Sequence, residues 1–313
     1  MSKPDLLVVS PLGADLERAL ESDYRLHRLW QAHDQRQFLQ QIGSSVRALA
    51  TRGDSGASAS LMAALPRLEI VAVFGVGIDA VDLGYARSRG IRVTNTPDVL
   101  TDDVADMGMA LLLATARQIV AGDHHVRSGA WVNGPMRLTT SLNGKRLGIL
   151  GLGRIGQALA RRASGFNMSI AYCNPTRKTD ARYDWYSDPI SLAAHVEFLV
   201  ICAAAVPSTR GLVGMEVLDA LGPRGILINI ARGVVVDEVA LLRALRERRI
   251  AAAGLDVFAE EPNIKQEFAS LDNVVLQPHN GSGTIETRAA IGRLLLRNLA
   301  AHFSGAPLPT PVS

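Results

Sequence analysis

The passage from Leu147 to Gly156, LGILGLGRIG, constrains this chain more than any other feature. An apolar run leads into Gly151-x-Gly153-x-x-Gly156, and a helical pattern, QALARRA, follows. In such a loop the first glycine permits a tight turn and the second lets the backbone approach a pyrophosphate. The third lets the helix pack on the strand, with its N-terminus facing the anion. Three glycines alone are weak. A strand before them, a helix after them and a second strand about 20 residues on make up the context that a dinucleotide site requires. Gly151, Gly153, Arg154, Ile155 and Gly156 are therefore the expected cofactor loop.

The rest of the chain repeats the same alternation. Short β-branched runs (6–10, 46–50, 70–74, 92–95, 146–150, 169–174, 198–204, 225–230, 252–257 and 274–276) alternate with longer Ala/Leu/Arg segments of helical period. That is the pattern of an α/β protein with doubly wound parallel sheets. One long helix is expected from Thr101 to about Ala121, with Asp102, Asp103 and Asp106 favouring its N-terminal end. A Gly/Pro-punctuated arm, 129–143, carries Trp131 and Met136, and a last helix spans 285–303. The stretch TRGDSGASAS, 51–60, reads as a surface loop.

At 313 residues the chain is long enough for two domains. A 48% apolar fraction with 20% charged residues supports folded cores and argues against disorder. The formal net charge of +3 and the scatter of the basic residues argue against a nucleic-acid partner. Cys173 and Cys202 lie in apolar runs, without metal spacing, and read as two buried thiols of a reducing compartment. His124 and His125 have no acid or cysteine at metal spacing, so no metal site is expected. No apolar run approaches the ~20 residues of a membrane span, and the first ten residues lack a signal sequence. A cytoplasmic protein with no membrane partner is the expectation.

Four passages in order, GILGLGRIGQALA, INIARGVVVDEVALLRAL, AAAGLDVFAEEP and NVVLQPHNGSGT, resemble the D-isomer-specific 2-hydroxyacid dehydrogenases. The upstream VFGVGIDAVDL and VTNTPDVLTDDVAD resemble them too, and the similarity spans roughly residues 66–300. With LTTSLNGKRLGILGLGRIG and the chain length, the resemblance is strongest to glyoxylate/hydroxypyruvate reductases. It implies two Rossmann-like domains, the cofactor domain (99–282) inserted into a substrate domain (1–98 and 283–313). It also implies a homodimer, in which the arms of the two chains wrap around each other.

Reducing a 2-oxo acid needs a cation for the carboxylate, a proton donor at the carbonyl oxygen and a hydride from a nicotinamide. The resemblance supplies each by position. Arg232 is the cation, its planar fork suited to a carboxylate. His279 is the proton donor, since an imidazole titrates near neutrality, at about 6.5. Glu261 is the carboxylate that stabilises the imidazolium, although residue type alone leaves Glu260 as a competitor. Val76 and Gly77 offer backbone N–H groups to the substrate carboxylate. Asp256 lies beside the nicotinamide or serves as a buried structural acid. Phe74 lines the pocket or is simply core.

The cofactor strand ends differently from the NAD pattern, which places Asp or Glu there for the ribose hydroxyls. Here the strand is followed by Cys173-Asn174-Pro175-Thr176-Arg177-Lys178, with no carboxylate before Asp180. Asn174, Thr176, Arg177 and Lys178 thus form a donor-rich loop suited to a 2′-phosphate, and NADPH is expected over NADH. Arg177 and Lys178 can also be plain loop decoration, and similar NADPH reductases often place an arginine where Pro175 stands. The alternatives are phosphoglycerate dehydrogenase, another D-2-hydroxyacid dehydrogenase, or a non-catalytic dinucleotide-binding corepressor-like protein. No further cation in 74–79 favours a phosphorylated substrate.

Overall fold

The computed structural model describes residues 3–312. It divides into two compact units, one formed by residues up to Leu100 and from Thr284 onward, the other by Thr101–Gly283. In the first, elements follow in the order β1 (Asp5–Val8), α1 (Ala14–Asp23), β2 (Arg25–Arg28), α2 (Gln35–Ile42), β3 (Val46–Arg52), α3 (Ala59–Ala63), β4 (Ile70–Phe74), α4 (Leu83–Ser88) and β5 (Arg92–Thr94). All pairings are parallel, in the order β2-β1-β3-β4-β5. This is the flavodoxin-like winding. Central strands β3 and β4 read VRALATR and IVAVF, and Leu49, Ile70, Val71 and Ala72 are wholly buried, as strands covered on both faces must be.

The second unit opens with α5 (Thr101–Ala116) and α6 (Ile119–Arg127). Then come β6 (Arg146–Leu150), α7 (Arg154–Ser164), β7 (Ser169–Cys173), β8 (Asp184–Tyr186), α8 (Pro189–His195), β9 (Phe198–Ile201) and α9 (Met215–Leu221). The unit closes with β10 (Ile226–Asn229), α10 (Glu238–Arg246), β11 (Ala252–Leu255) and β12 (Val274–Leu276). Its seven parallel strands lie in the order β12-β11-β10-β9-β6-β7-β8. The order reverses between β6 and β9, the switch point where open α/β sheets bind ligands at their strand C-termini. The chain then returns to the first unit with α11 (Ile285–Ser304).

Three expectations fail locally. The single helix to Ala121 is two helices bent by 57°, because Gln118 adopts a left-handed conformation, φ 51°. The Ala116 carbonyl, free to end its helix, accepts the N–H of Thr140 from the arm at 3.0 Å. The 51–60 loop is shorter than expected, since β3 continues through Arg52 and α3 begins at Ala59. Edge strands β2 and β8 escaped sequence reading because RLHR and DWY lack apolar alternation. Cys173 is buried but Cys202 only partly so. Among the described residues no single helix is long and apolar enough to cross a membrane. No cluster of His, Cys, Asp or Glu there could hold a metal ion.

Candidate active site

The switch point positions the glycine loop. Gly151 follows β6 with φ 100°, and a Cβ there would stand 2.6 Å from the Ala203 nitrogen beyond β9, so the turn tolerates only glycine. Gly153 caps α7, and a Cβ on it would meet nothing within 4 Å. A side chain is thus excluded by no protein neighbour, and the open space lies where the first-turn N–H groups of α7 point. Gly156 sits against the Gly151 carbonyl, joining helix to turn. These features fit the pyrophosphate of a dinucleotide.

Asn174, the residue after β7, turns its Oδ1 back to accept the Leu152 N–H at 2.8 Å. The amide therefore braces the glycine loop through its acceptor and leaves its NH₂ donors for other partners. Thr176 and Arg177 are exposed and Lys178 half-buried. The Lys178 backbone is anchored by its N–H to the Tyr172 hydroxyl at 2.9 Å. Among the described residues the Arg177 and Lys178 side chains make no hydrogen bond or ion pair.

Across the switch point, three neighbouring strand ends assemble a charged group. Beyond β10, Arg232 donates from Nη1 to the Ala231 carbonyl at 2.8 Å. Its backbone is fixed by Asn229, 1% exposed, whose Oδ1 accepts the Ala231 N–H and whose Nδ2 donates to the Arg232 carbonyl, both at 3.0 Å. Beyond β11, Glu261 accepts the Phe258 N–H at 2.8 Å on Oε1 and faces Nδ1 of His279 at 2.6 Å with Oε2. Burial raises the Glu261 carboxyl, but the His279 hydrogen bond, the Phe258 N–H and the Arg232 charge outweigh it and hold the group below its ordinary range. An ionised carboxylate only accepts, so Nδ1 of His279 carries the proton and Nε2 is left to meet a substrate.

His279 itself stands on a strained backbone, φ 52°, uncommon for any residue but glycine. Asp256 holds it there. The Asp256 carbonyl accepts the His279 N–H at 2.7 Å, and its two carboxylate oxygens accept the N–H groups of Asn280 at 2.7 Å and Gly281 at 2.9 Å. With Asp256 only 2% exposed and both oxygens engaged, the geometry supports the buried structural acid of its two expected roles. Burial raises its carboxyl above the ordinary value despite the two N–H donors. The structure thus brings together Arg232, Glu261 and His279, and it is Glu261, not Glu260, that meets the imidazole. Glu238 was not foreseen: nearly buried, it accepts the Ala259 N–H at 2.7 Å and ties α10 to the loop that carries Glu261.

In the other unit, the loop after β4 is held by Thr96, which accepts the Gly75 N–H at 3.0 Å, and by Asn95, which donates to the Val76 carbonyl at 2.9 Å. Among the described residues the N–H groups of Val76 and Gly77 meet no acceptor. Two adjacent unspent donors at a strand C-terminus suit a carboxylate.

Residues 109–281 match the family model "D-isomer specific 2-hydroxyacid dehydrogenase, NAD binding domain". This chain belongs to that family. The dehydrogenase is 48% identical to a hydroxyphenylpyruvate reductase of Plectranthus scutellarioides over 98% of both chains. It is 46% identical to a glyoxylate/hydroxypyruvate reductase A of Arabidopsis thaliana over 100% of both. Among solved structures it is similar to an NADPH-dependent glyoxylate/hydroxypyruvate reductase of Sinorhizobium meliloti in complex with NADP and malonate. That match has a TM-score of 0.92 at 40% identity and covers 100% of this chain and 97% of the other.

Proposed function

We propose that this dehydrogenase reduces glyoxylate, hydroxypyruvate or a similar small 2-oxo acid to the D-2-hydroxy acid with NADPH. The observation that carries the reading is the 2.6 Å contact between His279 Nδ1 and Glu261 Oε2, with Arg232 at the neighbouring strand end. Glu261 fixes the tautomer and stabilises the imidazolium, so Nε2 can give a proton to the carbonyl oxygen and recover it in the reverse direction. Arg232 neutralises the substrate carboxylate and polarises the carbonyl, and Val76 and Gly77 offer N–H groups suited to a carboxylate. A nicotinamide, when bound, would supply the hydride.

The Thr101–Gly283 unit is the cofactor domain in this proposal, and the other unit binds the substrate carboxylate. Gly151, Gly153, Arg154, Ile155 and Gly156 would hold the pyrophosphate. The choice of NADPH is supported by Asn174, which offers donors where an acid would repel a 2′-phosphate, and by the cations Arg177 and Lys178, unpaired among the described residues. The NADP complex of the Sinorhizobium relative agrees with it. A homodimer is supported by the apolar side chains left exposed on α6 and the arm: Val120 (60%), Trp131 (65%), Val132 (89%) and Leu138 (98%).

The test is NADPH oxidation, followed at the nicotinamide absorbance band, with glyoxylate and hydroxypyruvate as substrates. Turnover of both supports the proposal. Tight NADPH binding without turnover of any 2-oxo acid would favour a non-catalytic dinucleotide-binding protein.

A further inference from the structure

Phe74 ends β4 and leads directly into Gly75, Val76 and Gly77. Two arginines flank it. Arg52, the last residue of β3, is its register partner across the strands. Arg288, from the first turns of α11, places its guanidinium carbon 5.6 Å from the centre of the Phe74 ring. The two cations differ in what surrounds them. Arg52 is paired with Asp54 at 2.7 Å, and Asp54 accepts in addition from the Ser55 hydroxyl. Arg288 has no hydrogen bond or ion pair among the described residues, although it is half-buried.

Only the Phe74 ring and the charge of Asp54 favour a cation at this point among the described residues, and neither is a hydrogen-bond partner of Arg288. A helix N-terminus is the positive end of the helix dipole and disfavours a guanidinium. Burial and the nearby Arg52 charge push Arg288 below its ordinary value, with Asp54 opposing them only in part. It remains charged all the same, since arginine does not deprotonate in proteins. A half-buried, unpaired cation stacked on the aromatic side chain that precedes two unspent N–H donors needs an anion or an oxygen acceptor. All of these groups sit at the C-terminal edge of the β2-β1-β3-β4-β5 sheet, where α/β folds bind ligands.

We infer that Arg288 is a specificity-determining residue that binds an oxygen acceptor, hydroxyl or carboxylate, carried by the substrate beyond its carbonyl carbon. The inference rests on the reductase reading and narrows it. Val76 and Gly77 take the carboxylate next to the carbonyl, and Arg288 reads the far end. Glyoxylate has no such group, pyruvate has only a methyl, and hydroxypyruvate has a hydroxyl. The preferred substrates are then 2-oxo acids bearing a second oxygen function. Sequence reading could not find this cation, because α11 follows β4 only after the whole second unit has been traversed.

The experiment compares kcat/KM for hydroxypyruvate and pyruvate, two substrates of one chemistry that differ by that hydroxyl. Arg288→Met should lower the hydroxypyruvate-to-pyruvate ratio by about tenfold or more, the usual worth of a hydrogen bond to a charged group. Arg288→Gln is run beside it, since a neutral donor of similar shape keeps the cover over Phe74 and should lower the ratio by a smaller factor. A folded variant whose ratio stays within about twofold of the parent overturns the inference, as does an equal loss on both substrates. Calorimetric titration of the NADP-loaded protein with malonate and with propionate gives a readout independent of turnover. Arg288→Met should weaken malonate far more than propionate, and equal weakening again overturns the role. If the parent reduces no 2-oxo acid at all, the reductase reading fails, and the malonate titration alone decides for or against Arg288.

Discussion

A Cβ on Gly233 would fall on the backbone of Phe258. The residue after Arg232 therefore touches the backbone segment that turns toward Glu261, and the two strand ends are packed main chain to main chain. The same Phe258 donates its N–H to Glu261 at 2.8 Å. Glycine at 233 thus lets the strand end that carries Arg232 pack directly on the loop that carries Glu261. Gly233→Ala should lower stability by about 1–3 kcal/mol or more, as overpacking a buried site does. It should also depress turnover beyond what that loss of stability explains. Thermal melts alongside kcat at a temperature where the variant is fully folded check both parts, and full activity in a folded variant would mean the contact is not a spacer.

His279→Ala should lower kcat by about 10²–10⁴-fold, the usual worth of a positioned general acid. NADPH binding should be nearly unchanged, because among the described residues the imidazole bonds only to Glu261. Cofactor titration beside steady-state rates checks this, and near-normal turnover would remove His279 from the mechanism.

The Glu261 carboxyl is held below its ordinary value, after its burial is outweighed by His279, the Phe258 N–H and Arg232. A group with a depressed folded pKa stabilises the native state above its unfolded value, about 4.3. That contribution is lost as pH falls through the folded value. Glu261→Gln should therefore melt below the parent near neutrality, and the gap in Tm should close as pH is lowered through the acid range. A gap that widens on acidification contradicts the ion pair.

Much of this was legible because residues near in sequence report on one another. The glycine loop, the strand-end Arg232 and the segment before His279 all lie within local strand–turn patterns, and parallel strands place their ends along one edge. What was not legible depends on long-range pairing. The break at Gln118 goes with a Thr140 N–H from the arm on the Ala116 carbonyl, a bond no periodicity in 101–121 announces. The part of Asp256 was ambiguous because an acid after a strand reads alike whether it meets a ligand or two backbone N–H groups. Asn229 and Glu238 look like ordinary polar residues of a strand and a helix. Only their burial and their bonds to the loops that carry Arg232 and Glu261 give them a role.

The apolar surface on α6 and the arm makes the oligomeric state testable. Light scattering at dilute concentration should give a dimer mass. Replacing Trp131, 65% exposed, with Glu should shift the population toward monomer without unfolding it. A monomeric parent protein would refute the proposed homodimer.

The proposed preference for NADPH rests on the turn after β7. Asn174 Oδ1 is committed to the Leu152 N–H at 2.8 Å, so the face it shows a ribose is its donor face. An acid in its place would accept from both ribose hydroxyls and repel a 2′-phosphate. Pro175 supplies neither charge nor N–H, which leaves the phosphate to Thr176, Arg177 and Lys178. Among the described residues Arg177 and Lys178 have no side-chain partner to lose, so removing them should not perturb the fold. The Arg177→Ala, Lys178→Ala double variant should keep its Tm and its kcat/KM with NADH while losing about tenfold or more with NADPH, as expected for charge-assisted contacts to phosphate. Asn174→Asp should go further and favour NADH, since it adds repulsion to the loss of a donor. If the parent prefers NADH, or if the double variant leaves the ratio of the two cofactors unchanged, this loop does not read the phosphate.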